Sequence, residues 1–171
     1  MSDVPLQVLL MILLLAMSAF FSATETAFSS LNRARLKSMS GPKKKKAEAT
    51  LDLAERYDEL LSTILVGNNV VNIALASIAT VVFVSWIGNA GVTVSTVVMT
   101  IVVLIFGEIS PKSLAKEAPE TIAMAVTPAI RFLMSLLKPI NWLFSRWKAL
   151  LRRLLQVEDD SSMTSDELIT I

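Results

Sequence analysis

From Val4 to Phe21 almost every position is apolar, broken only by Pro5, Gln7 and Ser18, and no turn residue interrupts the pattern through "SATETAFSSL". A spanning helix needs about 20 such residues, so the pattern predicts one long helix over residues 4–31. No Lys or Arg precedes it, which argues against a cleaved signal segment. From Leu60 to Gly107 the chain then carries no charged residue, with "IGNAG" (Ile87 to Gly91) as a tight turn inside the run. Two further spans follow, over about 60–86 and 91–113.

Beyond the third span, "APETIAMAVTPAIRFLMSLLKP" places Pro119 at a helix start, Pro128 and Arg131 midway and Pro139 at the stop. This predicts a kinked juxtamembrane (belt) helix over 119–137 along the inner face of the bundle. Residues 140–156 set Leu143, Trp147, Leu150, Leu151 and Leu154 on one helical face and Arg146, Lys148, Arg152 and Arg153 mostly on the other. That pattern predicts an interfacial amphipathic helix, and the acidic end "VEDDSSMTSDELITI" reads as the start of a linker, so 138–171 stands apart from a transmembrane domain at 1–137.

Composition agrees with the bilayer as solvent. Of 171 residues 53% are hydrophobic and 18% charged, the net charge is +1, and there is neither Cys nor His. Thiolate and imidazole ligands, disulfides and His- or Cys-based catalysis are thereby excluded. Nothing in the charge balance argues for nucleic acid. Basic residues concentrate at Arg33, Arg35, Lys37 and Lys43 to Lys46, whereas the 87–91 turn has none. By the positive-inside rule this multi-pass protein of the cell membrane has its N-terminus outside and its C-terminus in the cytoplasm, and the lysine block attracts anionic lipid.

Within the spans, polar residues gather at one depth. Counting about 1.5 Å per residue from the inner ends, Ser22, Asn68 and Glu108 reach similar heights in the inner half of the membrane. Ser22 and Glu25 are spaced i,i+3, and Asn68 and Asn72 i,i+4, so each pair shares a helix face. In "IFGEISPKS", Pro111 has no N–H for the carbonyl of Gly107, which frees that oxygen, while Gly107 permits close approach and Glu108 brings a charge. Hydroxyl, amide, carbonyl and carboxylate oxygens without a soft ligand suit a hard cation such as Mg2+, Ca2+ or Na+. Each polar residue taken singly also serves as interhelical glue, Gly67 and Gly107 as packing points, Glu108 as a side chain reaching Lys112 or Lys116, and Glu25 as the partner of a nearby Arg. A Ser–Lys pair of Ser22 or Ser110 with Lys112 lacks a second base and an oxyanion feature, so the chain is not expected to be an enzyme.

At these residues, "FFSATETAFSS", "LVGNNVVNIALAS" and "FGEISPKSLA" resemble the motifs of the CorC and cyclin M (CNNM) family of magnesium transporters. The resemblance implies an all-α integral membrane protein of three transmembrane helices with a juxtamembrane helix, a homodimer, exporting Mg2+ with Na+ influx as the driving force. It further implies that Ser22, Asn68, Gly107 and Glu108 occupy cation-binding motif positions, with Asn72 and Pro111 adjoining; Glu25 joins them from its spacing to Ser22. Family members continue into paired CBS domains that bind adenine nucleotide. Those are absent from this sequence, so nucleotide regulation is not expected of it. The alternative expectation is a membrane anchor or sensor that binds a divalent cation without moving it.

Overall fold

The computed structural model of the chain describes residues 4–138 and 146–147. Apart from 138 and 146–147, the amphipathic helix and linker expected over 138–171 lie outside them. The chain divides between Leu136 and Leu137 into two compact units, and the first of them holds all three spans.

The first span is α1 (Val4–Ser29). A segment with helices α2 (Arg33–Lys37) and α3 (Lys44–Glu55), separated by a short 3-10 turn at Gly41–Lys43, leads into the second span, α4 (Tyr57–Ile87). The third span is one continuous rod over Ala90–Glu117, made of α5 (Ala90–Val102), a π-helical stretch at Val103–Ile109 and α6 (Ser110–Glu117). The next helix, α7 (Pro119–Leu136), contains Pro128 without ending there. Three helices are long and apolar enough to cross a membrane, and no strand occurs among the described residues.

Each boundary has a local cause. Asn32 caps α2 by accepting the Arg35 N–H at 3.0 Å, which satisfies one of the orphan donors of a helix start. Gly88 closes α4 at φ +65°, a conformation that a side chain would strain, and so turns the chain back into α5. The basic segment between the first two spans is largely helical. Its α3 is amphipathic, with Ala47, Leu53 and Ala54 buried, and it packs on α7.

The bundle is apolar outside and partly polar inside, the reverse of a water-soluble fold. Leu9, Ile12, Leu13, Ile73, Val97 and Phe106 are exposed, whereas Ser18, Ser22, Thr24, Thr63 and Ser95 are buried. One apolar cluster, centred on Phe21, Phe28, Leu60, Ile64 and Ile130, joins α1, α3, α4, α6 and α7. A smaller one of Leu75, Ala79 and Met99 joins α4 to α5. Of the small residues on α4, Ala79 is buried inside the protomer, while Ala76 and Ser77 are exposed. The juxtamembrane layer is tied by polar contacts: Arg35 to the buried Glu120 at 3.3 Å, Thr50 to Thr127 at 2.9 Å, and the ion pair of Arg131 with Asp52.

Candidate functional site

The site forms where α1, α4 and the π stretch meet. A π turn widens the helix by one residue per turn and is frequent at functional positions. Here it coincides with the "FGEI" segment, and the Ser110 N–H donates to the carbonyl of Ile105, five residues back. Pro111 contributes no N–H, so the carbonyls of Phe106 and Gly107 share at most one helical donor, that of Lys112. The π register thus adds Phe106 to Gly107 as a carbonyl that Pro111 leaves without its helical donor.

Gly107 is buried because α1 lies directly against it. A Cβ built there would stand 3.0 Å from the Ser18 hydroxyl oxygen. That hydroxyl donates to Oδ1 of Asn68 at 3.1 Å, and the Asn72 amide nitrogen makes a long 3.5 Å contact with the same oxygen. A chain of polar groups thus runs from Gly107 through Ser18 and Asn68 to Asn72. Asn72 and Glu108 then line one cavity of about 330 Å3, which continues along Ala76, Thr80, Ser95, Thr96 and Thr100 between α4 and α5.

Among the described residues two buried side-chain oxygens have no hydrogen-bond partner, Ser22 Oγ and Asn72 Oδ1. Ser22 is 1% exposed and stands one turn from Ser18 on the same face of α1. A buried acceptor left unpaired costs about 1–3 kcal/mol, and of these two Asn72 lines one cavity with the Glu108 carboxylate. Among the described residues no three Asp, Glu, His or Cys side chains cluster. A cation held here would be held mainly by neutral oxygens.

Ser18 was missed by sequence reading, where it counted only as an interruption of an apolar run. Its i,i+4 spacing to Ser22 was the available signal. Glu25 is not brought into the polar chain; its carboxylate pairs with Lys112 at 3.2 Å, a lysine where an arginine was expected. Among the described residues no ion pair joins Glu108 to Lys112 or Lys116. Gly67 serves packing: a Cβ there would fall 2.3 Å from the Phe21 ring.

Comparison with known proteins bears on the same segments. Residues 9–171 match the family described as the cyclin M transmembrane N-terminal domain. The chain is 36% identical over 158 residues to the UPF0053 inner membrane protein YfjD of Escherichia coli, covering 90% of this chain and 37% of that protein. It is 36% identical over 176 residues to a UPF0053 protein of Haemophilus influenzae, covering 100% and 42%. A polyamine export protein of Haemophilus influenzae is 24% identical over 179 residues, covering 96% and 41%. The chain spans about two fifths of the length of these relatives.

Proposed function

Because the chain belongs to the cyclin M family of transmembrane domains, we propose that it exports Mg2+ in exchange for Na+ influx. The ion is bound dehydrated by Ser22, Asn68, Asn72, Glu108 and a carbonyl at Gly107, in the inner half of the membrane. The observation that carries this reading is the orphaned buried Oδ1 of Asn72, a residue that lines one cavity with Glu108; the orphaned Ser22 Oγ stands one turn from Ser18 on α1. Mg2+ asks for near-octahedral oxygen coordination at about 2.0–2.1 Å, and hydroxyl, amide, carbonyl and carboxylate oxygens supply it. One carboxylate leaves a divalent ion with residual positive charge in a low-dielectric site. That limits affinity, which suits an ion that must leave again.

In this reading Glu25 stands one turn inward of Ser22, at the mouth by which the ion enters, with Lys112 as its resident counter-ion. The N-terminus is outside and the C-terminus cytoplasmic, and two protomers assemble across the outward-facing Ala76 and Ser77 region of α4, each keeping its own site.

The test is Glu108→Gln, which keeps size and an oxygen but removes the charge. Mg2+ titration of the purified protein and Mg2+ efflux from loaded vesicles should both fall at least tenfold while the protein still folds. Parent-like binding and efflux would remove the reading. Parent protein that binds Mg2+ without moving it would make this domain the anchor or sensor instead.

A second reading is favoured by the shape of the cavity. At about 330 Å3, with hydroxyls of Thr80, Ser95, Thr96 and Thr100 along its length, it is larger than a bare ion needs. An elongated organic cation, as in the name of the polyamine export relative, would set one ammonium at Glu108 and its methylenes against Met99, Val103 and Leu104. Spermidine displacing Mg2+ competitively and being exported itself would favour this cargo.

A further inference from the structure

On the same side of the membrane as the ends of α1 and α6, a second concave site lies between α3 and α7. Connectivity alone fixes that side: α1 ends there at Ser29, α4 starts there at Tyr57, and α6 ends there at Glu117. The cavity measures about 320 Å3, with Lys45, Lys46 and Arg131 on its rim and Ala49, Met124 and Pro128 among its walls. Its floor is fixed by the buried hydrogen bond between Thr50 and Thr127, 2.9 Å, so the two helices hold the basic groups in a set arrangement.

The charges are unequally matched. Arg131 is paired with Asp52, and Lys44 lies 3.9 Å from Glu48. Among the described residues, neither Lys45 nor Lys46 belongs to an ion pair. The site therefore presents net positive charge over a half-apolar pocket. From Pro128 an apolar ridge continues along α7 at i,i+4 spacing through Phe132, 68% exposed, and Leu136, 63% exposed. A soluble phosphate would leave that ridge bare, whereas the acyl chains of a lipid would cover it.

We propose that this pocket is a binding site for one anionic glycerophospholipid, its phosphate held by Lys45, Lys46 and Arg131 and its acyl chains laid along Pro128, Phe132 and Leu136. This goes beyond the general attraction of a basic segment to a membrane surface, since it assigns a stoichiometric site with a defined wall. It does not rest on the transport reading.

The experiment uses detergent-solubilised protein, where there is no bilayer surface field. Dioctanoyl phosphatidylglycerol, dioctanoyl phosphatidylcholine and glycerol 3-phosphate are titrated against thermal unfolding, and lipid carried through purification is counted by native mass spectrometry. Phosphatidylglycerol should stabilise the parent at one molecule per chain, and the other two should act far more weakly. Lys45→Gln/Lys46→Gln should weaken phosphatidylglycerol roughly 30-fold, since each lysine near an anionic headgroup is worth about a fivefold factor. Ala49→Trp should have a similar effect by filling the wall without altering charge. The charge-matched control Lys37→Gln/Lys43→Gln, outside the pocket, should bind as the parent does. Equal losses in the pocket and control pairs would overturn the site in favour of diffuse attraction. Glycerol 3-phosphate as effective as phosphatidylglycerol would overturn the lipid as its occupant.

Discussion

Ser22→Ala is a sharp perturbation because its effect changes sign with the ion. The Ser22 hydroxyl oxygen is buried, 1% exposed, and has no protein hydrogen-bond partner. Leaving such a group unsatisfied costs about 1–3 kcal/mol, while removing one oxygen from a packed interface leaves only a small void. In EDTA the variant should therefore be as stable as the parent, or more so by about 1 kcal/mol, which moves the unfolding midpoint upward by a few degrees. With Mg2+ the order reverses. At an ion concentration 100 times the parent's Kd, binding stabilises the parent by about 2.7 kcal/mol; a 100-fold loss of affinity in the variant reduces that to about 0.4 kcal/mol. Tryptophan-fluorescence melts of the purified protein, with and without Mg2+, measure both terms. Ser18→Ala is the contrast, since that hydroxyl is partnered by Asn68 at 3.1 Å and its loss should destabilise the cation-free protein by about 0.5–1.5 kcal/mol. The reasoning fails if Ser22→Ala is destabilised in EDTA and keeps the parent's Mg2+ shift, because the hydroxyl would then be interhelical glue.

Other perturbations address separate links. Pro111→Ala restores an N–H that can recapture a carbonyl of the Phe106–Gly107 pair, and should lower Mg2+ affinity by about tenfold without changing any side-chain ligand; unchanged affinity in titration would discard the freed carbonyl and leave the carboxylate. Lys112→Gln releases the half-exposed Glu25 at the proposed inner mouth, 3.2 Å away. A pair this exposed contributes about 1 kcal/mol or less to stability, so the protein should fold, and initial Mg2+ efflux should rise severalfold at low ionic strength and return to the parent's rate at high salt. A rate that is independent of salt would deny Glu25 a role in ion approach. Topology is read with single cysteines in this Cys-free chain: Asn89→Cys should react with an impermeant thiol reagent outside and Lys44→Cys should not, and the reverse pattern would invert the site.

How much of the molecule was legible in the sequence depends on which physical signal each feature leaves there. The three spans were readable because a bilayer forces a long apolar run, and the ends found at Ser29, Ile87 and Glu117 lie near those expected at 31, 86 and 113. The helix after Pro119 was readable from its prolines. In contrast, α2 and α3 were hidden inside a segment dominated by its charge pattern, although Ala47, Leu53 and Ala54 already set an apolar face at helical spacing. The cavity between α3 and α7 could not be read, since it depends on Lys45 and Arg131 meeting across elements far apart in the chain.

The candidate site divides in the same way. Gly107, Glu108 and Pro111 are visible because each is locally costly in an apolar helix. Whether those costs are offset by packing or by a ligand depends on long-range partners. Ser18 and Ser22 occupy neighbouring turns of the same face of α1 and are both buried; the first finds Asn68, and the second finds nothing. Asn68 and Asn72 differ likewise, one oxygen accepting from Ser18 and the other left without a donor. Two residue types have therefore each been used twice, once to hold the helices together and once to leave an acceptor open. Spacing cannot distinguish these uses. Were the open oxygens only defects of packing, apolar residues of similar size would be more stable at both positions. Under the proposed function the two open acceptors are kept for a cation that is bound through oxygens and then released.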